Sequence, residues 1–128
     1  MSQILVVDDE ADISEALRAL LELEGYQVDV VADGGECLRY LRARRPDLIM
    51  LDLMMPVLNG FQVLEAMQAD GWRELPVIVM SAARPPQPFT HGNVRAFLTK
   101  PFDLQSLLDS VEQALRSLPA ASRGCGIA

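Results

Sequence analysis

Three short runs of the chain contain no polar residue: 4–7 (Ile-Leu-Val-Val), 48–51 (Leu-Ile-Met-Leu) and 77–80 (Val-Ile-Val-Met). A strand with one face in water alternates apolar and polar residues, so an unbroken run has to be covered on both faces. A sheet held between two layers of helix supplies that cover. Each run also stops at a group able to do chemistry: Asp8 and Asp9 after the first, Asp52 after the second, Ser81 after the third.

The segments between the runs have helical spacing. Ile13, Ala16, Leu17, Leu20 and Leu21 recur on one face, and Gly25 supplies a stop. Val28, Val30 and Val31 form a short strand whose polar neighbours Gln27 and Asp29 suit an edge position. Cys37, Leu38 and Leu41 mark a second helix, ended by Arg42, Arg44, Arg45 and Pro46. Phe61, Val63, Leu64 and Met67 mark a third, after a turn over residues 55–60. Residues 95–99 (Arg-Ala-Phe-Leu-Thr) give a weaker fifth strand. A last helix starts from Asp103 as N-cap and buries Leu104, Leu107, Leu108, Val111 and Leu115. Strand and helix alternate, which implies a doubly wound α/β fold: a mostly parallel sheet with helices on both faces. One domain is expected over residues 1–118, with 119–128 as a flexible tail. Pro85, Pro86 and Pro88 break the rhythm where the fourth helix in chain order belongs, so that helix is expected to be shortened to at most about two turns or replaced by a loop.

At 128 residues the chain can bury roughly two-thirds of its unfolded surface without staples. A net charge of −7 argues against binding nucleic acid through its phosphates. Cys37 and Cys125 fit no disulfide or metal spacing, no segment resembles a signal peptide, and no apolar run is long enough to cross a bilayer. A cytoplasmic protein without membrane contact is the expectation.

In a parallel sheet the carboxyl ends of the strands share one edge, where α/β folds hold their ligands. Asp8, Asp9, Asp52, Ser81 and Lys100 would therefore meet. Three clustered carboxylates repel, and Lys100 brings one positive charge. A hard divalent ion such as Mg²⁺ suits the remainder and leaves room for phosphate oxygens. Asp52 then becomes a credible phosphoryl acceptor, with Ser81 donating to one phosphate oxygen and Lys100 pairing with another. Singly, each group has a plainer reading: Asp8 and Asp9 as helix caps, Ser81 as a turn hydroxyl, Lys100 as a solvated charge, Phe97 as core.

Residues 6–10 (Val-Val-Asp-Asp-Glu), 51–56 (Leu-Asp-Leu-Met-Met-Pro) with Gly60, 80–82 (Met-Ser-Ala) and 97–102 (Phe-Leu-Thr-Lys-Pro-Phe) together resemble the receiver domain of two-component response regulators. The resemblance spans residue 3 to about 117. It implies a flavodoxin-like five-stranded sheet in the order 2-1-3-4-5, the order for which the chemotaxis receiver is a standard example. It implies that Asp52 accepts phosphate from a phosphohistidine on a sensor histidine kinase or a histidine phosphotransfer protein. Asp9, Asp52 and the backbone carbonyl of Met54 would bind Mg²⁺ directly, and Asp8 through a water. Ser81 and Phe97 would act as the switch, Lys100 would bind the phosphate, and the bond between Lys100 and Pro101 would be cis. Because the chain stops soon after its last helix, it is expected to signal through a downstream protein, as a monomer or weak dimer. It would not be an enzyme beyond its own phosphoryl transfer and slow self-dephosphorylation, since Met54 and Ala83 cannot position a water. Two other functions are weighed. An Asp-nucleophile phosphatase would need an acid two residues after Asp52, where Met54 stands. A phosphorylation-independent scaffold would not need Ser81, Lys100 and the acids.

Overall fold

A computed structural model describes residues 2–55, 58–72, 74–82 and 94–116. The elements run β1 (Gln3–Val7), α1 (Ala11–Leu23), β2 (Gln27–Val31), α2 (Gly34–Ala43), β3 (Leu48–Asp52), α3 (Gly60–Ala69), β4 (Val77–Ser81), β5 (Val94–Thr99) and α4 (Leu104–Arg116). The strands form one parallel sheet in the order β2-β1-β3-β4-β5, the flavodoxin-like arrangement. The expected shortening of the helix between β4 and β5 concerns residues 83–93, and the expected tail begins at 119; both lie outside the described residues, as do Pro56, Ala83, His91 and Cys125.

The apolar runs sort their side chains by parity, as strand geometry demands. Leu5, Val7, Ile49, Leu51, Val77 and Val79 join a core with Cys37 and Leu41 of α2 and Val63, Leu64 and Met67 of α3. Ile4, Val6, Leu48, Met50, Ile78 and Met80 join a second core with Leu17 and Leu21 of α1 and Leu107, Val111 and Ala114 of α4. Each fully buried aliphatic side chain contributes about 1.5–3 kcal/mol, so the central strands β1, β3 and β4 dominate the stability. β2 takes the edge position that Gln27 and Asp29 suggest. β5 forms the opposite edge, half-covered, with a register shift against β4 that leaves Arg95 as an extra residue.

Local chemistry sets the helix ends. Gly25, at φ 95°, closes α1 in a conformation that favours glycine. Asp33 accepts from the Glu36 N–H at 2.8 Å, and Asn59 and Gln62 form a reciprocal capping box at 3.0 and 2.9 Å. Asp103 accepts from the Ser106 N–H at 2.7 Å, the cap expected of it. Two glycines sit where no Cβ fits. A Cβ on Gly60 would lie 2.8 Å from the Asp52 carbonyl oxygen and the Leu53 Cα, and one on Gly34 would lie 2.7 Å from Val63. No helix among the described residues is long and apolar enough to cross a membrane.

Candidate functional site

Parallel pairing carries the ends of β1, β3 and β4 and the residue after β5 to one edge. Asp8 follows β1, and its side chain is fully buried. Its Oδ1 accepts from the Glu10 N–H at 2.9 Å, and its Oδ2 from Lys100 Nζ at 3.0 Å. Asp52 closes β3 and is 2% exposed; the Met54 N–H donates to its Oδ1 at 3.0 Å and Lys100 Nζ to its Oδ2 at 3.3 Å. Ser81 closes β4, buried, and its carbonyl accepts from the Lys100 N–H at 2.7 Å. Lys100 therefore starts beside the end of β4 and reaches across it to acids on β3 and β1. The bond from Lys100 to Pro101 is cis.

A third carboxylate joins these two. Glu10 Oε1 lies 3.3 Å from Lys100 Nζ, and one carboxylate oxygen from each of Asp8, Glu10 and Asp52 falls within 4.8 Å of the others. Asp9 is exposed and stands outside that group. The Met54 side chain is exposed, whereas Met55 is buried and packs on the α2–α3 core. Phe97 is half-buried against the same core.

The electrostatics follow from burial and these contacts. Burial, and then the charge of Asp8, push the Asp52 carboxyl above its ordinary value, against the pull of the Met54 N–H and Lys100. Burial disfavours charge on Lys100, but the hydrogen bonds and charges of Asp8 and Asp52 outweigh it and hold the ammonium above its ordinary value. Three carboxylates against one ammonium leave two formal negative charges, two of the three carboxylates being buried. An all-oxygen donor set with that residual charge fits a hard divalent cation such as Mg²⁺.

Beside the site, a groove of about 600 Å³ opens between α1 and the start of α4. Ile13, Leu17, Leu20, Phe102 and Leu107 form its apolar walls, and Glu10 and Lys100 stand at its rim. Other pairings join elements that the sequence left separate. Asp29 accepts from the Tyr40 hydroxyl at 2.7 Å and from Arg44 at 3.1 Å, and the Arg45 guanidinium stacks 5.0 Å from the Trp72 ring centre. Arg44 and Arg45, at the end of α2, are thus engaged with neighbouring side chains. Cys37 is core, its thiol pushed up to about 12 by burial.

The family model of the response regulator receiver domain matches residues 4–112, and the chain belongs to that family. It is 37% identical over 117 residues to the response regulator MprA of Mycolicibacterium vanbaalenii, a match covering 89% of this chain and 50% of that protein. The chain thus spans about half the length of the curated relatives it matches. Among solved structures it is similar to the response regulator TrrA of Thermotoga maritima in complex with Mg²⁺-BeF, at 29% identity and a TM-score of 0.80, covering 89% of this chain and 99% of that one. It is also similar to the receiver domain of a sensor histidine kinase of Pseudomonas aeruginosa with a magnesium ion in its active-site cleft, at 28% identity and a TM-score of 0.82, covering 91% and 98%. The protein is a receiver domain of two-component signalling, and its acidic pocket is compatible with Mg²⁺ and an aspartyl phosphate.

Glu10 is the contributor that sequence reasoning passed over. Its one sequence signal was its place as the third acid in the run 8–10.

Proposed function

We propose that the chain is a phosphorylation-dependent switch, with Asp52 as phosphoacceptor and a phosphohistidine on a sensor histidine kinase or phosphotransfer protein as donor. The observation that carries this is the single ammonium of Lys100 within 3.3 Å of both buried acids, Asp8 and Asp52. Asp52 Oδ attacks the phosphorus in line as the bond from phosphorus to the histidine nitrogen breaks, and the imidazole leaves with its electron pair. Lys100 exchanges a carboxylate partner for a phosphoryl oxygen, and the Ser81 hydroxyl turns to donate to another. A bound Mg²⁺ would supply charge neutralisation for the transferring group; Asp8, Asp9, Asp52 and the Met54 carbonyl are the proposed ligands. Phe97, on the strand that carries Lys100, relays the change to the half-covered edge of the sheet.

The domain is taken as residues 1–118, acting in the cytoplasm on a downstream protein, as a monomer or weak dimer. It turns over no substrate besides its own phosphoryl group. Loss of that group is slow, because the Met54 side chain offers no hydrogen bond to an attacking water. Incubation with a small phosphodonor and Mg²⁺ tests the whole reading. A hydroxylamine-labile adduct that Asp52→Asn abolishes supports the switch; continuous turnover would point to a phosphatase, and no adduct to a scaffold.

A further inference from the structure

Glu10 has no role in that reaction, yet its side chain stands at the mouth of the site. It is the N-cap of α1, but its side chain makes no capping hydrogen bond. The backbone is pinned from both sides instead. Its N–H donates to Asp8 at 2.9 Å, and its carbonyl accepts from Ile13 and Ser14 at 3.1 and 3.0 Å. The carboxylate turns to Lys100 Nζ at 3.3 Å, and its side chain is 59% exposed where those of Asp8 and Asp52 are 0% and 3%.

Lys100 and a divalent cation compete for the same oxygens. The buried partners of the ammonium are Asp8 Oδ2 and Asp52 Oδ2, carboxylate oxygens of two of the proposed metal-binding residues. Lys100 is itself only 12% exposed, so giving up both acids would strand a buried charge. Glu10 offers the ammonium a third partner on the solvent side, at the distance of the Asp52 contact. We propose that Glu10 is a positioning residue for Lys100, holding the ammonium at the mouth of the site while Asp8 and Asp52 turn to a divalent cation. This rests on the reading above, in which Asp52 holds Mg²⁺ directly with Asp9 and the Met54 carbonyl, and Asp8 holds it through a water. In this role Glu10 acts through Lys100 and not as a ligand, with its carboxylate oxygen inside the same 4.8 Å cluster as those of Asp8 and Asp52.

The test is Mg²⁺ affinity by titration calorimetry, read without any phosphoryl transfer. Glu10→Gln keeps the size of the side chain and removes its charge; affinity is expected to fall about two- to five-fold, in line with the worth of a partly exposed ion pair. Glu10→Asp keeps the charge but draws it back by one methylene, and is expected to lose as much. In a Lys100→Met background, Glu10→Gln should then change nothing measurable. Unchanged affinity in Glu10→Gln would overturn the proposal. Wild-type affinity in Glu10→Asp, or an equal loss with and without Lys100, would also overturn it, because bulk charge would then be enough. Should Lys100→Met not fold, Lys100→Gln, neutral but still polar, takes its place in the same comparison. Failure of the wild-type protein to bind Mg²⁺ at millimolar concentration is a separate outcome, and it removes the metal-site reading together with this one.

Discussion

The two faces of the sheet are packed differently. On the α2–α3 face the helices close over the strands: Gly34 backs onto Val63 and Leu58 with no room for a Cβ, and Arg45 bridges to Trp72. On the α1–α4 face a groove of about 600 Å³ beside the acidic cluster leaves Ile13 and Leu20 only half covered. Among the described residues, one side of the sheet therefore carries a close helix–helix contact at Gly34, and the other an apolar-walled groove. The difference teaches that a leucine's worth here is set by how completely the neighbouring helix covers it: Leu21 is fully buried on the same face where Leu20 is half covered.

The largest test of that contrast is a pair of truncations. Leu64→Ala, in the closed core, should cost about 2–5 kcal/mol of unfolding free energy. Leu20→Ala, on the groove wall, should cost about 1 kcal/mol, because less of its area is withdrawn from water. Urea unfolding of both variants measures the gap, and equal costs would break the comparison. Gly34→Ala probes the closed face by overfilling it and should cost about 1–3 kcal/mol, partly recovered by Val63→Ala.

A smaller shift is expected at the edge joining the faces. The native state holds the Asp52 carboxyl above its ordinary value of 3.8. Its contribution to stability is therefore full below 3.8 and is lost as pH rises through the raised native value. In metal-free protein, Asp52→Asn should thus raise the melting temperature at pH 7, with the gain fading as pH falls toward 3.8. Thermal scans across pH check the sign. The smallest effect is expected from Arg45→Ala, about 0.5–1 kcal/mol for a partly exposed cation–π contact, measured by the same unfolding experiment.

Much of this was legible in the sequence, and for a physical reason. Strands covered on both faces leave an unbroken apolar run, so β1, β3 and β4 declare themselves, and Gln27 and Asp29 mark β2 as an edge. What was not legible depends on contacts that spacing does not encode. Ala16 falls on the apolar stripe of α1 yet is exposed, because the helix that would cover it lies across the groove. The register shift at Arg95 is a property of the pairing with β4, and it let the strand begin one residue earlier than its pattern suggests. Asp52, Ser81 and Lys100 were placed by the strand ends. Which of the acids 8–10 turns inward depends on the turn into α1, where Glu10 has φ −91° and ψ 104°, and no periodicity specifies that turn. The stacking of Arg45 on Trp72 spans two elements and leaves no local signature.

Lys100 contacts carboxylates 92, 90 and 48 positions earlier in the chain. During synthesis from the N-terminus, all three acids are made before the one cation that gathers them. A nascent chain that has just completed β3 holds every anionic group of the site and none of its counter-charge. The counter-charge of the acidic cluster consequently arrives only with Lys100, once β5 has been made and paired at the far edge of the sheet.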